Sequence, residues 1–140
     1  MKRSTNIFEK LIPSIINLIL ISLVTYLVIS VFSFNSLFSV QATFTIVALL
    51  YDLGIAVFNE NRCLGMIVMN TKWKNNYPMK QRVIYALLYT FSYSTVVFFI
   101  FFPFDLLLVN LLFLQLPFVI FKKTTLHGYL SGNMSTVVEK

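Results

Sequence analysis

His127 and Ser131 are the first pair to consider for catalysis, because a histidine can activate a nearby serine hydroxyl as a nucleophile. Both lie in the stretch "TTLHGYLSGNMSTVV", and His127 is the only histidine of the chain. A catalytic triad also requires a carboxylate that orients the histidine, but the only acidic residue of the tail is Glu139. Ser131 directly precedes Gly132, so it is not the central serine of a G-x-S-x-G elbow. These features predict that the protein is not an enzyme.

The chain lacks the residues that a metal site or a cofactor site requires. One histidine and the single cysteine, Cys63, cannot supply the three or four protein ligands of a zinc site. The chain has no Gly-rich phosphate-binding motif, so we expect no metal and no cofactor. With one cysteine no disulfide can form within the chain, and Cys63 is interpreted as a reduced thiol.

Asp52 is a carboxylate inside an otherwise uncharged run, "VQATFTIVALLYDLGIAVF". A charge within a bilayer costs about 2.5–3.5 kcal/mol at its centre and less near its surface, so we expect Asp52 to face other helices. Candidate partners are polar residues of the other apolar runs: Asn17, Thr25, Tyr85, Tyr89, Ser92, Tyr93, Asn110 and Gln115. Asp52 either ties helices together or carries a proton or cation. The first interpretation is favoured, since transport usually requires several polar groups.

Long apolar runs define the elements that must position these residues. The 140 residues are 58 % hydrophobic and 11 % charged, with a mean hydropathy of +0.81. A helix that crosses a bilayer needs about 20 apolar residues, and four runs have about this length: 11–34, 40–58, 84–102 and 104–121. Pro103 separates the last two, which predicts a hairpin. The first run is too long for a signal-peptide core, so we expect it to be retained. We predict an all-α integral membrane protein, a four-helix bundle in one domain, 1–140.

The basic residues predict the orientation of this bundle. All eleven Lys and Arg residues lie before the first span, in the loop 59–83 or in the tail 122–140. With four spans these segments share one side of the membrane, and the positive-inside rule places that side and both termini in the cytoplasm. The net charge of +6 reflects this asymmetry. It favours anionic lipid head groups as partners, and not nucleic acid.

The loop 59–83 is predicted to lie on the membrane surface. "KNN" is typical of a turn, and Tyr77-Pro78 is typical of a helix start. Trp73 and Tyr77 are typical anchors at the membrane surface. We interpret the loop as a basic interfacial connector; the alternative is a docking loop for a partner.

Two stretches of the chain carry short motifs. The tail "KTTLHGYLSGNMSTVV" is similar to the pattern R-T-L-H-D-L-L-A-G-T-x-V-V, and "NRCLGMIVMN" contains the Leu-Gly of a G-x-T-L-G-K motif. Both patterns belong to the RDD family of small bacterial membrane proteins, which this chain resembles over nearly its whole length. Arg82 stands where the family has an Arg before the third helix. The matching tail residues are Thr125, Leu126, His127, Leu130, Gly132, Val137 and Val138.

The three residues that give the family its name are replaced in this chain. Lys10 stands at the Arg position, and Asn17 and Gly128 stand at the two Asp positions. The last two replacements remove a carboxylate each, so the chain resembles a divergent member. The resemblance implies a location in the bacterial inner membrane. Some members of the family have been linked to ion exchange, which the resemblance permits here.

Two functions are consistent with these features. The first is a non-catalytic membrane protein that acts by association, as an accessory or assembly subunit of an inner-membrane complex. Its predicted contact surfaces are the loop Asn61–Arg82 and the tail. The alternative is a small homo-oligomeric ion- or proton-coupled transporter that uses Asp52. The candidate functional or packing residues are Asp52, Asn17, Tyr89, Arg82 and His127.

Overall fold

A computed structural model describes residues 3–33, 36–60, 62–98 and 115–138, with the backbone alone for Arg3 and for 93–98. The chain is mostly helical. The described elements, in chain order, are β1 (Arg3–Ser4), α1 (Phe8–Phe32), α2 (Leu37–Phe58), α3 (Leu64–Val68), β2 (Thr71–Trp73), α4 (Met79–Phe98), α5 (Leu116–Lys122), α6 (Leu126–Leu130) and β3 (Thr136–Val138).

Helices α1 and α2 are long and apolar enough to cross a membrane. The predicted span 40–58 lies within α2, and the predicted span 11–34 follows α1 as far as Phe32. Asn6 and Glu9 begin α1 with a reciprocal cap, in which the backbone N–H of each donates to the other's side chain at 2.8 Å. Ser36 caps α2, because its hydroxyl accepts from the Ser39 backbone N–H at 3.1 Å.

Several polar side chains of α1 and α2 are buried, and many of their large apolar side chains are exposed. The buried residues of α1 recur every four positions: Pro13, Asn17, Ile21 and Thr25. In α2 the same spacing gives the buried residues Ala48, Asp52 and Ala56. Outward-facing residues include Val31, which is 77 % exposed, and Phe58, which is 88 % exposed. Water disfavours an apolar surface of this extent, so the pattern is typical of helices in lipid.

Helix α4 begins at Met79, directly after Pro78, as the sequence predicts. It packs along α2 and ends at Phe98. The predicted third span, 84–102, is therefore helical as far as residue 98. Its helix begins at Met79, five residues before the start of the predicted span. The predicted hairpin at Pro103 and most of the predicted fourth span lie outside the described residues. Helix α5 covers the end of that span.

A small antiparallel sheet corrects the all-α prediction. Its strand order is β1-β3-β2, so the tail strand lies between the strand of the N-terminal segment and the strand of the loop. Arg3 pairs with Val138, and Trp73 pairs with Thr136. Strands of two or three residues are too short for an alternating pattern to be recognised. Their partners are also distant in the sequence, so no local turn motif marks the pairing.

The three chain segments that form the sheet are joined by further hydrogen bonds. The Lys74 backbone N–H donates to the Ser135 carbonyl at 2.9 Å, and the Ser135 N–H donates to the Tyr77 hydroxyl at 3.1 Å. The Thr5 N–H donates to the Thr136 carbonyl at 3.2 Å. We call residues 3–5, 62–78 and 123–138 the cap. The loop is thus a folded part of the cap and not an extended connector.

Candidate functional site

Asn17 holds the short helix α3 against α1 and α2. Its side-chain oxygen accepts from the Tyr51 hydroxyl and from the Gly65 backbone N–H, both at 3.2 Å. The Tyr51 oxygen accepts from the Leu64 backbone N–H at 3.2 Å. The first N–H groups of a helix have no partner within it, so Asn17 and Tyr51 supply partners to α3. Gly65 permits the close approach, because a Cβ atom there would lie 2.5 Å from the Pro13 Cα.

Asp52 joins α2 to α4. Its Oδ2 atom accepts from the Thr90 hydroxyl at 2.7 Å. Asp52 is 1 % exposed and Thr90 is 4 % exposed. The second carboxylate oxygen, Oδ1, has no hydrogen-bond partner within the described ranges. Asp52 thus faces the interior, where the sequence places it. Its described partner is Thr90, which is not one of the predicted side chains; of those, Asn110 and the side chain of Tyr93 lie outside the described residues.

His127 lies in an aromatic cluster that joins the tail to α4. Its Nε2 atom is 3.2 Å from the Tyr85 hydroxyl oxygen. The His127 ring lies edge-on to Tyr85 and Tyr89, with centroids 5.0 and 4.9 Å away. The two tyrosine rings stack with centroids 5.7 Å apart, and Trp73 packs edge-on against Tyr85 at 5.0 Å. Such edge-to-face and offset contacts stabilise aromatic clusters, so this face of α4 is where the tail docks.

Lys10 and Ser14 connect α1 to this cluster. The Lys10 ammonium donates to the Lys123 carbonyl at the end of α5, and the Tyr89 hydroxyl donates to the Ser14 hydroxyl at 3.1 Å. Burial, and secondly the positive charge of Lys10, lower the pKa of His127 to about 3. The imidazole is therefore neutral near neutral pH.

These groups surround a cavity of about 80 Å³ between the helices and the cap. Each water occupies about 30 Å³ in the liquid, so two or three could fit. Three buried atoms of residues that line it have no hydrogen-bond partner in the part of the chain described: Asp52 Oδ1, Trp73 Nε1 and His127 Nδ1. Buried polar atoms are normally hydrogen-bonded. The cavity is therefore chemically suited to a few waters or one small hydrated ion.

The structure brings together four of the five candidate residues. Asp52, Asn17, Tyr89 and His127 all line the cavity. Arg82 lies in the first turns of α4 and does not line the cavity.

Thr90 is the buried neighbour of Asp52 that sequence reasoning missed. Thr90 lies four residues after Ala86, and both are buried on the face of α4 that meets α2. The one sequence feature that points to Thr90 is a small polar residue four positions after Ala86, on the same face of the helix. Trp73, expected as an anchor at the membrane surface, is half-buried in the cap and packs edge-on against Tyr85.

The remaining reactive groups are used in holding the fold. The Ser131 hydroxyl donates to the Gly128 carbonyl at 3.1 Å. Burial raises the pKa of the Cys63 thiol, which keeps it protonated. Among the described residues, no group of three or more His, Cys, Asp or Glu side chains is placed to hold a metal ion.

Comparisons of the chain with models of known protein families, with curated proteins and with solved structures find no match. The resemblance to the RDD family therefore stays a prediction from the motifs.

Replacing His127 by glutamine is expected to remove part of the pH dependence of stability. The folded-state pKa of about 3 lies below the reference value of 6.5, so between these pH values the unfolded chain binds more protons at this position. The free energy of unfolding then falls as pH falls, by at most about 1.4 kcal/mol per pH unit. Glutamine has no titration there and can still hydrogen-bond to Tyr85.

The measurement is chemical denaturation in mild detergent at pH 6.5, 5.5 and 4.5. Carboxylates titrate alike in both proteins, so the difference between wild type and His127→Gln isolates the imidazole. Parallel pH curves for the two proteins would contradict this environment for His127.

Proposed function

We propose that this is a non-catalytic integral membrane protein that acts by association, as an accessory or assembly subunit of a complex in the bacterial inner membrane. In this proposal four helices span the membrane, and the cap lies in the cytoplasm at the membrane surface. The sheet supports this topology, because strands that pair with one another must lie on the same side of a bilayer. An even number of crossings then separates β1 from β2, and β2 from β3.

The cap is the observation that carries the proposal. It gathers the loop and the tail, the two predicted contact surfaces, into one folded surface with Lys74, Lys80 and Lys122 exposed on it or beside it. In α3 the exposed side chains are all apolar: Leu64, Ile67 and Val68. An apolar face beside exposed lysines is suited to the head-group region of a membrane. The basic outer part of the cap remains for a protein partner.

The test is covalent cross-linking in cells with an N-terminal tag, followed by extraction in mild detergent. We expect one recurring membrane-protein partner in fixed ratio. The double variant Lys74→Glu, Lys80→Glu should reduce its recovery at least tenfold with an unchanged level of the protein in membranes. Lys74→Arg, Lys80→Arg keeps both charges and is the matched control. Recovery of self-oligomers alone would contradict the proposal.

A second function is favoured by one observation, the unpaired Asp52 Oδ1 atom beside the cavity. We propose as the alternative that the chain self-associates and exchanges protons or small cations through this carboxylate. Its supports are the burial of Asp52 and a cavity that fits a small hydrated ion.

Ion flux into proteoliposomes tests the alternative. Asp52→Asn keeps the size of the side chain and the hydrogen bond from Thr90 but removes the ionisable group. Glu60→Gln makes the same chemical change at an exposed position just after α2, and it is the control. Loss of flux in Asp52→Asn alone would support transport. Equal flux in the three proteins, or none in wild type, would leave Asp52 as a residue that ties α2 to α4.

A further inference from the structure

A groove of about 210 Å³ separates the beginning of α1 from α5. Its walls are mostly apolar: Ile7 just before α1, Leu11 on α1, and Leu116 and Val119 on α5. It adjoins the cavity described above, with which it shares five lining residues. Tyr89 and Ser92 of α4 also line it. From Ile7 to Ser14 it follows about 10 Å of α1, at 1.5 Å per residue.

The cytoplasmic end of this groove is basic. Lys10 lines it, and the Lys10 ammonium donates to the Lys123 carbonyl, which brings the end of α5 next to the start of α1. An ammonium group has three N–H donors, so Lys10 can also donate to an anion at the mouth. Lys122 and Lys123 are exposed at the end of α5.

The neighbouring carboxylate, Glu9, lies outside the lining of the groove. Glu9 precedes Lys10, but its side chain accepts from the Asn6 backbone N–H at 2.8 Å. Glu9 lines the polar cavity and is not among the residues that line the groove.

We propose that this groove binds one anionic phospholipid of the cytoplasmic leaflet, with an acyl chain between α1 and α5 and the phosphate on Lys10. The groove offers the two features that such a lipid needs, which are apolar walls along the helices and positive charge where the helices meet the cytoplasm. Charge complementarity selects an anionic over a zwitterionic head group. The inference depends on the proposed membrane orientation and not on the proposed partner, so either can fail without the other.

Lipid binding is measured on the delipidated full-length protein by native mass spectrometry and by the shift of its melting temperature during titration. The probes are phosphatidylglycerol, phosphatidylcholine with the same acyl chains, and soluble glycerol phosphate. We expect a saturable single adduct with phosphatidylglycerol that raises the melting temperature by mass action. Phosphatidylcholine should bind at least several-fold more weakly, and glycerol phosphate should have no effect.

Three variants locate the site. Lys10→Gln should weaken binding of phosphatidylglycerol about fivefold, the contribution of one basic residue near a membrane surface. It should weaken phosphatidylcholine less, because the positive choline of that lipid already opposes the charge of Lys10. Val119→Phe should fill the groove and abolish the adduct with Lys10 intact. Lys72→Gln removes a positive charge from β2, which does not line the groove, and should bind like wild type.

Several results would overturn the proposal. They are equal binding of the two lipids, equal effects of Lys10→Gln and Lys72→Gln, or protection by glycerol phosphate alone. A dimer that Val119→Phe disrupts, without a lipid adduct in wild type, would assign the groove to a second copy of the chain instead.

Discussion

Replacing Gly65 by alanine is expected to destabilise the protein by about 3 kcal/mol, since overpacking alone costs about 1–3 kcal/mol and lost buried hydrogen bonds add to it. The new Cβ atom would lie 2.5 Å from the Pro13 Cα, which is backbone and cannot rotate away. Helix α3 must then move away from α1. The hydrogen bond from the Gly65 N–H to Asn17 would be lost, and Asn17 is buried.

The measurement is reversible denaturation in mild detergent, followed by circular dichroism and by exposure of Cys63 to a maleimide. Gly54→Ala is the matched control, because a Cβ atom there would meet nothing within 4 Å. Within α2, alanine should be neutral or stabilise by up to about 1 kcal/mol. If both variants unfold at the same denaturant concentration as wild type, α3 does not pack on α1 in this way.

A chain that ends after Ser135 is expected to lose the ordered cap while it keeps helices α1 and α2. The truncation removes β3, the strand that pairs with both β1 and β2. Strand β2 then has no partner in the sheet. Limited trypsin digestion of membrane vesicles should cut after Lys72 and Lys74 at least tenfold faster, because cleavage follows the population of the locally opened state.

A chain that ends after Val138 is the control, because it keeps all three strands. It should be digested at the wild-type rate, and both proteins should be inserted in the membrane to the same extent. Slow cleavage of the shorter chain would show that the loop is held in place without the tail strand.

Features that repeat along one helix could be predicted from the sequence. The apolar runs predict α1 and α2. The cost of a charge in a bilayer predicts that Asp52 faces other helices, without knowledge of the rest of the fold. Pro78 predicts the start of α4 because proline suits the first turn of a helix. The tyrosines at positions 85 and 89 share a face because residues four positions apart lie on the same side of a helix.

Features that depend on two distant segments could not be predicted. The partner of Asp52 could be any polar residue of another helix, and Thr90 was not distinguishable from Tyr89 or Ser92 without the rotation of α4. The contact of Gly65 with Pro13 requires the path of the loop after α2. The sheet has the same difficulty, since Thr5 and Thr136 become neighbours only after the whole chain has folded.

The central position of β3 also sets an order of events during synthesis. Strands β1 and β2 pair only with β3 in the described sheet, and β3 follows both of them in the sequence, so it leaves the ribosome after them. At about 5–20 residues per second, translation of the chain between β2 and β3 takes on the order of several seconds. Strand β2 has no partner strand during this time. During that interval the loop is open to proteases and chaperones, whereas α1 and α2 have already left the ribosome. The complete sheet can therefore form only after β3 has been synthesised.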